Sequence, residues 1–96
     1  MNNITVRTAD KNDIETLVKF RFLYMTDVEG ELSEKQVNAL NEQLPVYFEK
    51  HIGQDFTAYL AEDNGKPVAV IFMVRLEKPA SVHFLSGSTC YLMNVY

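Results

Sequence analysis

Polar and apolar residues alternate from Ile4 to Thr8, with Ile4, Val6 and Thr8 on one side of the alternation, and this period of two predicts a short strand. From Asp10 the period lengthens. Asp10, with Asp13 three positions on, places acids where a helix start presents unpaired amides and its positive dipole end. Ile14, Leu17, Val18, Met25 and Val28 then recur at helical spacing, which predicts a helix from about Lys11 to Asp27. Arg21 falls where that stripe wants leucine and reads as a snorkelling residue at its edge. Gly30 ends the pattern. Ser33 with Gln36 forms a capping box for a second helix, whose face carries Val37, Leu40, Leu44, Phe48 and Ile52 as far as Gly53. Pro45 lies inside it. Proline removes one amide donor and crowds the Asn41 carbonyl, so a kink or break is expected near Leu44.

Alternation returns at Phe56, where Phe56, Ala58 and Leu60 interleave with Thr57, Tyr59 and Ala61. Asp63-Asn64-Gly65-Lys66 is hairpin-turn chemistry, because Asn and Gly tolerate positive φ, and the next strand is expected over Val68 to Leu76. A polar loop with Ser81, Ser86, Gly87 and Ser88 precedes a last strand, Thr89 to Tyr96. The predicted order is β-α-α-β-β-β in one domain, residues 1–96. The fold class is α+β: a mostly antiparallel sheet in order 1-2-3-4 with both helices on one face. The strand from Val68 to Leu76 is apolar on both faces, with Ala69, Ile71 and Met73 opposite Val70, Phe72 and Val74. Such a strand wants cover on both sides, and two helices can cover only one. The chain therefore reads as the front portion of an α/β enzyme domain that stops before its site is complete. The bare face and the unpaired last strand predict a homodimer.

Composition narrows the function classes. Hydrophobic residues are 47% of the 96 and charged residues 23%, which is a folding chain. The net charge of −4, with Lys and Arg scattered, gives no basic stripe to replace counterions, so no nucleic-acid partner is expected. A cationic small molecule or peptide suits the balance better. Neither a signal-peptide stretch nor a membrane-length apolar run occurs, since the longest is Val68 to Val74; no membrane and a cytoplasmic location are the expectation. The single Cys90 reads as an inert packed thiol, and His51 and His83 lack partners at ligand spacing, so no metal is expected.

Several short phrases resemble the GNAT superfamily of acyl-CoA-dependent N-acyltransferases. These are Ile4-Thr5-Val6-Arg7-Thr8-Ala9 with Asp13-Ile14; Phe56-Thr57-Ala58-Tyr59-Leu60-Ala61-Glu62; Asn64-Gly65-Lys66-Pro67-Val68-Ala69-Val70; and Tyr91-Leu92-Met93-Asn94-Val95-Tyr96. They are similar to that family's opening strand and helix and its next three strands. Ala69 stands where the family often has Gly. The Gly-rich loop that takes the CoA pyrophosphate at a helix start is absent, for Gly30, Gly53, Gly65 and Gly87 are each isolated.

The resemblance implies an acetyl-CoA-dependent N-acetyltransferase acting on a primary amine, represented by its N-terminal portion and inactive alone. Acetyl-CoA is the co-substrate it implies. A backbone amide freed by a bulge in the last strand would hold the developing oxyanion, which nominates Asn94, Val95 and Tyr96 for cofactor binding. The acidic loop Asp27-Val28-Glu29-Gly30-Glu31-Leu32-Ser33-Glu34 would rim the acceptor pocket, nominating Glu29 and Glu31 for the substrate; one of these acids, or Glu62, would relay the proton. A solvated acidic loop is the alternative reading of those residues. Tyr24 and Tyr91 read as packing residues, and the catalytic residues stay unknown. The competing reading of the whole chain is a non-catalytic α+β binding or dimerisation module.

Overall fold

The computed structural model describes residues 3–77, 79–80, 82 and 88–96. Its first strand, β1, is Ile4–Thr8, as the alternation requires. The Asp10 carboxylate accepts from the Asn12 amide (2.8 Å) and Asp13 accepts from the Asp10 amide (2.9 Å). This box starts a single 3-10 turn, Lys11–Asp13, which leads into helix α1, Ile14–Glu29. The expected helix is thus present, with a tighter first turn and two further residues at its end. Helix α2 is Glu34–His51, entered through the Ser33–Gln36 box at 2.9 and 3.1 Å. It runs unbroken through Pro45, against the expectation of a break. Proline removes only one ladder bond, and Leu44 and Phe48, on either side, are both held on the core.

Strands β2 (Phe56–Asp63), β3 (Lys66–Glu77) and β4 (Ser88–Val95) complete the sheet. All three pairings are antiparallel, in the order β1-β2-β3-β4. Asn64 and Gly65 close the β2–β3 hairpin with φ of 54° and 83°, the doubly positive pattern of a two-residue turn. Two residues interrupt the ladders. Val68 is extra between the pairs Ala61/Ala69 and Glu62/Pro67, and Met93 is extra between Met73/Leu92 and Phe72/Asn94.

Both helices bury their apolar stripes on one face of the sheet, as expected. Leu17 and Phe20 of α1, Phe48 of α2 and Ile52 just after it meet Phe56, Ala58 and Leu60 of β2 and Val70 and Phe72 of β3. Rings dominate this contact: Phe48, Phe56 and Phe72 lie with centroids 5.3–5.6 Å apart. Each fully buried large side chain contributes roughly 1.5–3 kcal/mol, so these nine residues hold the layers together. Phe20 is a core residue that the sequence stripe omitted, whereas Val28, assigned to the stripe, is 60% exposed. Cys90 is also exposed rather than packed.

No described helix covers β1, all of whose residues are exposed. An ionic cluster ties it down instead. Arg7 donates to Asp13 at 2.7 and 2.8 Å and to Glu62 at 2.9 Å, linking β1, the 3-10 turn and β2. The Arg7 hydrogen bonds hold the Asp13 carboxyl down at about 2, and the two carboxylates raise Arg7 in turn.

Candidate functional site

The β3–β4 ladder sets the geometry at the end of β4. Val70 and Tyr96 exchange both backbone hydrogen bonds, at 2.9 and 3.0 Å. The next pair is Ile71/Val95. In an antiparallel ladder bonded and non-bonded pairs alternate, so the Val95 N–H and C=O point away from β3. They point to the outer edge of β4, which no described strand pairs. A directed amide beside a bulge is the arrangement an oxyanion requires. The register break falls at Met93, immediately before the three residues nominated from the sequence.

Tyr96 joins this strand end to the acidic loop. Its ring lies 6.4 Å from that of Phe20 on α1. Its phenol donates a hydrogen bond to the Asp27 carboxylate near the end of α1, and that bond, followed by burial, raises the phenol's pKa. Beyond Asp27, Glu29 and Glu31 line one open groove of about 540 Å³ with Met25, Leu32, Gln36 and Leu40. The two nominated sets of residues, far apart in sequence, are thereby brought to the same end of the molecule. Met25 faces this groove rather than the core.

The other candidates fall elsewhere. Glu62 accepts from Arg7 and serves the β1 cluster. Arg21 is half-buried, with its guanidinium 5.8 Å from the Tyr24 ring centroid. Tyr91 is 50% exposed, not packed. His51 does have a carboxylate within reach, which the sequence reading missed: its Nδ1 is 2.7 Å from Asp55 Oδ1, and its ring stacks on Tyr47 at 4.4 Å. The hydrogen bond from His51 lowers the Asp55 pKa. His83 lies outside the described residues. Among those described, no three His, Cys, Asp or Glu side chains converge as a metal site, and no helix is long and apolar enough to cross a membrane.

No family model and no curated protein matches the chain. Solved structures do. A predicted acetyltransferase from Clostridium acetobutylicum, solved with acetyl-CoA, superposes with a TM-score of 0.83 at 24% identity, over 98% of this chain and 59% of that one. A GCN5-related N-acetyltransferase from Ralstonia eutropha JMP134 gives 0.77 at 17%, over 98% and 61%. A possible acetyltransferase from Clostridium difficile gives 0.70 at 20%, over 97% and 56%. The chain spans about three fifths of the length of these proteins. Over that length, it has the fold of a GNAT-type N-acetyltransferase.

Proposed function

We propose that the chain carries the acyl-binding strand and the acceptor rim of an acetyl-CoA-dependent N-acetyltransferase acting on a primary amine. The outward Val95 amide beside the Met93 bulge is the observation that carries this reading. Acetyl-CoA supplies an activated acyl thioester. The Val95 N–H donates to the carbonyl oxygen as negative charge gathers there, at an edge set by the ladder and not by a mobile side chain. Asn94 and Tyr96 fix that edge through their pairing with Phe72 and Val70. Attack by the neutral amine forms the C–N bond, and the C–S bond breaks with departure of the CoA thiolate. Glu29 and Glu31 attract the ammonium form of the acceptor, and the proton it must lose leaves through water to a carboxylate of the rim. In the sequence the four glycines are isolated from one another, with no Gly-rich phrase for the CoA pyrophosphate, so the chain by itself is expected to bind acetyl-CoA weakly and to be inactive.

Titrating acetyl-CoA into the ¹⁵N-labelled chain tests this. The expected result is a weak response centred on the amides of residues 94–96, with no turnover of amine. A response that avoids β4 would remove the proposal, and micromolar binding would mean that another phosphate site exists.

A second reading is favoured by the outer edge of β4, which no described strand pairs. There two copies would pair their final strands about a two-fold axis, or stack their bare faces, as a homodimer. The chain would then serve as a binding or dimerisation module.

A further inference from the structure

The described sheet has two edges, and they are finished differently. β1 is five residues long, carries Arg7, and is fastened by that side chain to Asp13 and Glu62. A short strand with a committed charge is poor material for pairing with another chain. β4 is eight residues long, Ser-Thr-Cys-Tyr-Leu-Met-Asn-Val, and holds neither a charged residue nor a proline. No described strand pairs its outer edge. An uncharged strand meets a copy of itself with no like charges opposed, and two copies about a two-fold axis close on each other without a third. The bulge at Met93 is a safeguard that β4 does keep. It bends the strand, so pairing with a second copy stays weak enough to reverse.

The backbone groups on that edge include the N–H and C=O of Val95. The same N–H is the donor assigned to the acetyl carbonyl oxygen. One N–H cannot serve both. Paired strands lie about 4.8 Å apart, so even a register that leaves the Val95 amide unbonded puts a second backbone where the thioester has to lie.

We propose that self-pairing through β4 and acetyl-CoA binding at Val95 exclude one another, so that the dimer is closed to the acyl donor and acetyl-CoA dissociates it. This rests on the acyl-transfer reading and on the strand-paired form of the homodimer, and adds the coupling between them. Linkage makes the effect reciprocal: the dimer weakens ligand binding by the factor through which the ligand weakens the dimer.

A dilution series of the ¹⁵N-labelled chain tests this, with thiols kept reduced because Cys90 is exposed on β4. Acetyl-CoA is titrated at each protein concentration, the response of residues 94–96 is followed, and light scattering gives the mass. Where about nine tenths of the protomers are paired, the apparent dissociation constant should be about ten times that of the dilute monomer. Saturating acetyl-CoA should return the mass to that of a monomer. Leu92→Lys should stay monomeric and show one dissociation constant at every concentration. If that variant fails to fold by circular dichroism, the dilution series of the parent decides alone. A constant that holds still while the mass doubles, or a parent that is monomeric throughout, would overturn the coupling and leave the acyl-transfer reading standing. A response to acetyl-CoA that avoids residues 94–96 would remove that reading and the coupling with it.

Discussion

The two faces of the sheet are built from similar residues and meet opposite surroundings. On the helix side, Phe56, Ala58, Leu60, Val70 and Phe72 are at most 1% exposed. On the other side, Val6 is 68% exposed, Leu92 64%, Ile71 38% and Tyr59 36%. Alternation along a strand decides which residues share a face, but it does not decide whether anything covers them. Cover depends on how many elements lie against the sheet, and the two described α-helices share one side. β1 makes the point again: with no described helix above it, it is fastened by Arg7, Asp13 and Glu62.

The sharpest test of this contrast is a pair of truncations. Phe72→Ala should lower unfolding free energy by about 3–5 kcal/mol in urea melts, because it opens a void under both helices. Tyr59→Ser, on the bare face, should stay within about 0.5 kcal/mol. Comparable losses from both would mean that the second face is covered after all.

Charge, in place of burial, should govern β1. Asp13→Ala removes the reciprocal half of a capping box and one arm of the Arg7 cluster, and should cost about 1 kcal/mol. The sign with pH follows from a carboxyl held at about 2 in the folded chain against an ordinary value of 3.8. Its stabilisation is complete above the unfolded value and is lost as pH falls through about 2. Asp13→Asn and the parent chain should therefore converge in stability only below pH ~2; a gap that persists there would assign the effect to packing.

The smallest effect on folding should accompany a large one on association. Leu92→Lys places a charge at the open edge and is expected to change unfolding free energy by less than about 0.5 kcal/mol. Light scattering at high micromolar concentration should nevertheless show the parent dimeric and the variant monomeric. A parent chain that is monomeric there would exclude pairing through this edge.

Local features were legible because their causes are local. Both capping boxes, the Asn64-Gly65 hairpin and the Phe48 side of α2 follow from spacing alone. Phe20 escaped notice because Arg21 breaks the stripe beside it, and tertiary packing turned α1 so that Phe20, not Val28, reaches the core. Arg7 and Glu62 are 55 residues apart, and no local period links them. Alternation gives Cys90 a face but no neighbour to bury it. At the candidate site, the residue types at 29, 31 and 94–96 were readable. Their convergence was not, since it depends on the Tyr96–Asp27 bond and on α1 crossing β3 and β4.

The extra residue in β4 makes the strand editable. Met93 has no partner of its own, while Leu92 faces Met73 and Asn94 faces Phe72, which are consecutive in β3. Excising Met93 would therefore close the ladder without moving any other pair: Tyr96 would still meet Val70, and Val95 would still look outward. What would vanish is the local bend and added twist that a bulge confers. The deletion thus separates two properties that point substitutions leave entangled, the address of each backbone amide and the curvature of the edge presenting it.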